Sequence, residues 1–199
     1  DSKGSTYTVT QLMDSPRVRI LRGRFHAQIT EDVYDVVFRL IGTSLHNIVE
    51  RYGGSGAEER LFLDLTDQFP GSQRLVVSGA IDLQSYDNDG VVIGDYKMTS
   101  VASTRFLEKY EKQLNSYAFL ARKAGGKKVS RLEVYAILKD WNFRNAMRDP
   151  SYPQSPGVTL PIDLWSDAKQ EQYFMDRVRV HVDADNALSH DDGGETGFV

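Results

Sequence analysis

Gly79-Ala-Ile-Asp82-Leu-Gln-Ser-Tyr86-Asp-Asn-Asp-Gly90-Val-Val-Ile-Gly94-Asp95-Tyr-Lys97 is the stretch on which the reading of this chain turns. Two β-rich runs, Arg74–Tyr86 and Val91–Lys97, flank Asp87-Asn88-Asp89-Gly90, whose turn formers predict a hairpin. A four-residue turn pairs Tyr86 with Val91, and counting back sets Asp82 opposite Asp95. Directly opposed residues have Cβ atoms roughly 4.5–5.5 Å apart, where like charges repel. A shorter turn shifts the register by a residue or two and still leaves the two carboxylates near each other. Lys97, two residues past Asp95, lies on the same face of the strand. Gly79 and Gly94 are expected to leave the backbone open to a ligand. Two carboxylates and a lysine between Ala80, Ile81, Val92 and Ile93 are explained by a divalent cation. Hard oxygen ligands hold Mg²⁺ or Mn²⁺, and the cation removes the repulsion. A salt bridge of Lys97 with Asp82 or Asp95 is the competing structural reading of the same residues.

Working outward, Thr30-Glu31-Asp32 opens a helix, with Thr30 as N-cap and two acids at its positive end. Val33, Val36, Val37, Leu40, Ile41, Leu45 and Ile48 recur at helical spacing, and Gly53-Gly54 ends the run. On a helical wheel His46 lies ~220° from Val33, while the apolar stripe centres near ~60°. It therefore points away from the stripe, on the side of Gly42, with Glu50 one turn later. Imidazole is an acceptable ligand beside carboxylates, although an ordinary surface histidine fits the same wheel. Leu61, Leu63 and Leu65 alternate like a strand. Thr104–Ala124 reads as an amphipathic helix closed by Gly125-Gly126. Gln113 and Tyr117 share one of its faces, and Tyr110 could extend that face; plain amphipathic packing is the competing reading, and on these residues alone the favoured one. Val129–Leu138 is a further strand, and Ser166 caps a last helix reaching about Ala184. Helix, β-meander, helix, strand, helix assembles most economically as an α/β fold, one mixed sheet flanked by helices.

The chain has 199 residues, 40% of them apolar, which fits one domain able to bury a core. No apolar run approaches the ~20 residues that cross a bilayer. The opening Asp1-Ser-Lys-Gly-Ser-Thr has neither an apolar signal segment nor an initiator Met, which implies a trimmed start and gives secretion no support. Without cysteine, the chain has no disulfides, thiolate zinc sites, cysteine nucleophiles or cysteine-ligated iron–sulfur clusters. The net charge of −4 hides an asymmetry. Lys97–Arg131 carries nine basic residues against Glu108 and Glu111, and four arginines fall within Arg17–Arg24. Ala57–Asp95 carries eight acids against two arginines, and the end is acidic again. Such a chain could hold a polyanion on one region and metal cations on another, or simply present solvated helix faces.

Taken in order, Gly42-x-x-x-His46, Gly79-Ala-Ile-Asp82, Asp95-Tyr-Lys97 and Gln113-x-x-x-Tyr117 resemble the motifs of the PD-(D/E)xK nuclease superfamily. The likeness is to its RecB-like and λ-exonuclease-like branch, and it covers Thr8 through Leu138. Thr8-Val-Thr-Gln-Leu and the Arg17–Arg24 run also look like phage-encoded members. The resemblance implies a single nuclease domain over residues 1–199 with a restriction-endonuclease-like core. Residues Thr8–Leu138 would form that core, and residues 139–199 a C-terminal extension with an acidic tail. It implies His46, Asp82, Asp95 and the Tyr96 carbonyl as ligands of one or two Mg²⁺ or Mn²⁺ ions. Lys97 would orient or activate the attacking water and stabilise the transition state. Gln113 and Tyr117 would hold the site and the DNA strand, and Glu50 would stand behind the ligands. The basic helix, with Arg105, Lys109 and Lys112, would grip flanking phosphates, and Tyr96, Tyr110 or Tyr117 would stack on unpaired bases. Relatives with a four-cysteine iron–sulfur cluster exist, but this chain has no cysteine to hold one.

The implied activity is metal-dependent DNA exonuclease action at DNA ends, in recombination, repair or DNA processing. The implied setting is the cytoplasm of a bacterium or phage-infected host, with a single-strand annealing protein as a partner and no membrane. A structure-specific endonuclease of the same fold and a catalytically silent nucleic-acid-binding module are the rivals. The binder has no need of the whole set His46, Asp82, Asp95 and Lys97. A small-molecule metallohydrolase fits the basic helix poorly.

Overall fold

The computed structural model describes residues 4–30, 32, 33, 36, 37, 40–42, 44, 59–70 and 74–191, with side chains as far as 188. β1 (Tyr7–Thr8) runs into α1 (Val9–Met13) through a capping box. The Thr8 hydroxyl accepts from the Gln11 N–H at 3.2 Å, and the Gln11 side-chain oxygen accepts from the Thr8 N–H at 2.9 Å. Ser15 caps α2 (Pro16–Arg24), where Pro16 sits in the first turn and its missing N–H costs nothing. The arginine run is therefore a helix. Residues 33, 36, 37, 40–42 and 44 are helical as well. Of the apolar stripe read there, Val33, Val37, Leu40 and Ile41 are exposed, while Leu45 and Ile48 lie outside the described residues. Periodicity shows that a helix has an apolar side without showing what covers it.

The strands are β2 (Glu59–Asp64), β3 (Val76–Ile81), β4 (Leu83–Tyr86), β5 (Val91–Thr99), β6 (Val129–Leu138) and β7 (Gly157–Ile162). Between and after them come α3 (Glu108–Lys123), α4 (Phe143–Arg148) and α5 (Asp167–Asp191). Among the described residues two mixed sheets form where one was expected: β1-β3-β2 and β4-β5-β6-β7. In the first, β3 is parallel to β1 and antiparallel to β2; in the second, only β5 and β6 are parallel. The cause is a bend at Asp82, which turns a run that reads as one strand out of the first sheet and into the second.

α3 packs against β2 and β3 of one sheet and β5, β6 and β7 of the other, so a single helix closes both. Its buried run Leu114–Ala121 meets Val77, Ile81, Ile93, Leu132 and Val134 in the core. Four buried residues of the segment read as a C-terminal extension belong to that same core. Ile162 of β7 joins it, as do Phe174, Val178 and Val182 of α5, with the Phe119 and Phe174 rings 4.6 Å apart. Ser166 receives the Lys169 N–H at 3.3 Å at the start of α5. No helix among the described residues is long and apolar enough to cross a membrane.

Candidate functional site at the bend between the sheets

The β4–β5 register runs Leu83↔Gly94, Gln84↔Ile93, Ser85↔Val92 and Tyr86↔Val91. The turn chemistry sets it. The Asp87 carboxylate accepts from the N–H groups of Asp89 and Gly90 at 2.8 and 2.9 Å, and the Asp87 N–H donates to the Gly90 carbonyl. Gly90 has φ +151°, and a Cβ there would stand 2.3 Å from the Lys128 carbonyl oxygen, so only glycine closes this turn.

One step past Leu83↔Gly94, at the bend, Asp82 comes against Asp95 within hydrogen-bonding reach. Asp95 is 3% exposed. Burial pushes its carboxyl up to about 6; the Lys97 ammonium works against that, and the Asp82 charge adds to it. Lys97 places Nζ 2.5 Å from Asp95 Oδ2. Burial alone would lower the Lys97 pKa, but Asp95 and then Asp82 outweigh it and the net shift is upward. Lys97 is thus a cation at neutral pH.

Tyr117 stands beside this group. Its phenol is pushed up by burial and senses both Asp95 and Asp82, while Gln113 Nε2 donates to the hydroxyl at 3.2 Å. Thr10, near the start of α1, is a second hydrogen-bond partner of that hydroxyl. Sequence spacing missed Thr10; the Thr8-x-x-Gln11 capping box was the available signal. Tyr96 lies against Tyr135, ring centroids 5.4 Å apart, and its phenol is raised by burial and by Asp82. Tyr110 is partly buried and donates to Thr99 Oγ1 at 3.4 Å.

Two readings change. Gly79 and Gly94 do not open the backbone to a ligand. A Cβ on Gly79 would meet Leu120 at 2.7 Å and Tyr117 and Val9 at 3.0 Å; one on Gly94 would meet the Tyr135 ring at 2.6 Å. Both glycines are packing notches for side chains. The basic run is also largely neutralised within the protein. Lys97 pairs with Asp95, Lys112 with Glu108, Arg122 with Asp167, Lys123 with Glu171, Lys127 with Glu59, and Arg131 with Asp87 and Glu133. Among the described residues, Arg105, Lys109 and Lys128 of that run are in no ion pair.

His46 and Glu50 lie outside the described residues. Among those described, no group of three His, Cys, Asp or Glu side chains could hold a metal ion. Asp82 and Asp95 nevertheless suit a hard divalent cation in kind. Both offer oxygen, and a cation would offset the Asp82 repulsion that adds to burial in raising the Asp95 pKa.

No protein-family profile matches the chain, and no curated protein matches it. It is similar to a solved structure described as the crystal structure of SSO0001, with a TM-score of 0.59 and 13% sequence identity. The match covers 90% of this chain and 78% of that one. At such identity the likeness concerns the fold alone.

Proposed function

We propose that this chain is a divalent-metal-dependent deoxyribonuclease of the PD-(D/E)xK kind, with a restriction-endonuclease-like core, acting as an exonuclease at DNA ends. The observation that carries the reading is buried Asp95, set against Asp82 and 2.5 Å from Lys97 at the bend between the sheets. Burying a carboxylate beside another is costly for a merely structural site. Asp82, Asp95, the Tyr96 carbonyl and His46 would hold Mg²⁺ or Mn²⁺, which when bound supplies hydroxide at neutral pH and charge neutralisation at the phosphate.

Lys97, kept protonated by its two carboxylate neighbours, is suited to stabilising negative charge on the phosphoryl oxygens and to orienting water, not to removing its proton. The Tyr117 hydroxyl, fixed by Gln113 and Thr10, gives the site a rigid polar wall against which a phosphate oxygen can settle. Arg105 and Lys109 can bind flanking phosphates.

End-labelled linear DNA and a nicked circle, each with Mg²⁺, Mn²⁺ or EDTA, test the reading. Linear DNA is shortened from its ends with metal and untouched in EDTA, while the circle survives. Asp95→Asn loses cleavage by at least roughly a hundred-fold, in the range of losing one preorganised transition-state contact, and stays folded. Full cleavage by Asp95→Asn would sink the proposal.

A further inference from the structure

The carboxyl ends of the parallel strands β5 and β6 carry a surface of which Arg105 alone figures in the reading above. Past Thr99 the chain makes a 3₁₀ turn, Ala102–Arg105, followed by Phe106. Past Leu138 it runs through Trp141 into α4. The two segments are tied together. The Lys139 N–H donates to the Thr99 carbonyl at 2.9 Å, the Val101 N–H donates to Asp140 Oδ1 at 2.7 Å, and the Arg105 charge adds to the Ser151 hydrogen bonds that lower the Asp149 carboxyl.

Within α4 the buried residue is Ala146. Phe143 and Met147, one turn apart, and Arg144 and Arg148, also one turn apart, fill the outward arc. Phe106 is 75% exposed, Phe143 65% and Met147 73%. Trp141 is fastened through its indole N–H to the Pro153 carbonyl at 2.7 Å and meets the Phe143 ring edge-on at 6.3 Å, so the ring has a fixed footing. Among the described residues, Arg105, Arg144 and Arg148 are in no ion pair, unlike most cations of the Lys97–Arg131 run.

Single exposed apolar side chains are ordinary on protein surfaces. Two exposed aromatic rings and a thioether beside guanidinium groups that, among the described residues, are in no ion pair, on two segments joined by hydrogen bonds, are a different matter. Guanidinium groups recognise phosphate, and ring faces stack on bases that are not already stacked in a duplex. The tyrosines expected to stack are poorly placed: Tyr117 is buried, Tyr110 is held to Thr99, and Tyr96 is engaged with Tyr135.

We propose that Phe106, Phe143, Arg144 and Arg148 form a binding platform for an unpaired DNA strand. The platform's role in feeding strand ends to the site rests on the nuclease reading, whereas the binding itself does not.

Binding of a labelled single-stranded oligonucleotide and of the same sequence as a blunt duplex, measured by anisotropy on the full chain in EDTA across a salt series, tests this. The single strand is expected to bind more tightly. Phe106→Ala with Phe143→Ala should weaken it by roughly ten-fold or more without changing the salt slope. Phe143→Tyr, which keeps the ring, should bind like the parent. Arg144→Ala with Arg148→Ala should flatten the salt slope by about 0.7 per lost contact. Unchanged single-strand affinity in the ring variant, or a parent that does not prefer the single strand, overturns the platform. So does a parent that self-associates through these rings, seen as a dimer that the ring variant dissociates. Metal-dependent cleavage, measured alongside, separates the two ideas. Cleavage with no platform effect sinks only the platform; a platform effect with no cleavage sinks only the nuclease reading.

Discussion

His181 is fully buried on α5 between two arginines. Arg19 Nε donates to its Nδ1 at 3.0 Å, so that nitrogen keeps its lone pair and the ring proton belongs on Nε2, which faces the Asp14 carbonyl at 3.2 Å. Arg177 Nη2 lies 3.4 Å from Nε2. Around them Tyr7 donates to Asp185 at 2.6 Å, and Asp185 pairs with Arg19. Burial first, then the Arg19 and Arg177 charges, lower the pKa of His181; the Asp14 carbonyl opposes them. A lowered histidine is neutral in the folded state where the unfolded chain already takes a proton. Its contribution is therefore intact above about pH 6.5 and is lost as the pH falls below it. Urea unfolding over a pH series should show this acid limb in the parent and not in His181→Gln, whose amide oxygen can still accept from Arg19; parallel profiles would remove His181 as its source. Little of this was legible in the sequence. Arg177 lies one helical turn before His181, but Arg19 and Asp14, which fix the ring's tautomer, lie 162 and 167 residues away. Asp82, Asp95 and Lys97, by contrast, lie within one hairpin, and their proximity could be counted from its turn.

At the scale of elements, legibility followed locality in the same way. Val129–Leu138 emerged with the bounds read for it, because a ten-residue apolar alternation needs nothing distant to define it. The helix read from Thr104 begins at Glu108 instead, since residues 102–105 close a 3₁₀ turn first. β7 and α4 gave no clear pattern, lying in or beside a stretch rich in Pro, Ser and Gly, and the division into two sheets hangs on one bent residue. What joins α3 to the segment after β7 is also hidden from pattern reading: the fully buried amide of Asn115. Its Nδ2 donates to the carbonyls of Glu111 at 2.9 Å and Asp163 at 2.8 Å. Its Oδ1 accepts from the Trp165 N–H at 2.8 Å and from Gln170 Nε2 at 3.2 Å. All four hydrogen-bonding positions of the amide are used, so the buried polar group is fully satisfied. Asn115→Leu removes these bonds at once and leaves the Trp165 N–H and the Asp163 carbonyl in a dry environment. The expected loss is about 2–4 kcal/mol in equilibrium urea unfolding. A loss within ~0.5 kcal/mol, the range of an ordinary surface substitution, would mean that water replaces the amide.

Across the whole molecule, charge decides how much of the basic run is left for DNA. Counted along the chain, Lys97–Arg131 has a surplus of seven positive charges, nine bases less two acids. Folding spends most of it internally. Arg122 and Lys123 fasten α3 to the start of α5 through Asp167 and Glu171, Lys127 ties β2 to β4 through Glu59 and Gln84, and Arg131 braces the hairpin turn through Asp87. These partners are distant in sequence, so local charge counting overstates the phosphate-binding capacity. Lys112 is a graded case, paired with Glu108 at 2.5 Å one turn earlier on the surface of α3. An exposed pair of that kind is weak, yet the Glu108 charge still offsets that of Lys112 toward an approaching phosphate. Among the described residues, Arg105 and Lys109 have no such contact pair, although the Asp149 charge reaches Arg105. In an Asp95→Asn background, each of Arg105→Ala and Lys109→Ala should lower the slope of log affinity against log salt by about 0.7–0.9. Lys112→Ala should lower it by clearly less. Glu108→Gln should raise affinity, because it releases the Lys112 ammonium to the phosphates. Single-turnover cleavage at saturating DNA, measured in the active parent, should change much less than affinity in all of these variants, since none alters Asp82, Asp95 or Lys97. Equal slope changes for the three cations would show that the Glu108 pair opens when DNA binds. Unchanged slopes throughout would take the phosphate path away from α3 and toward the arginines of α2.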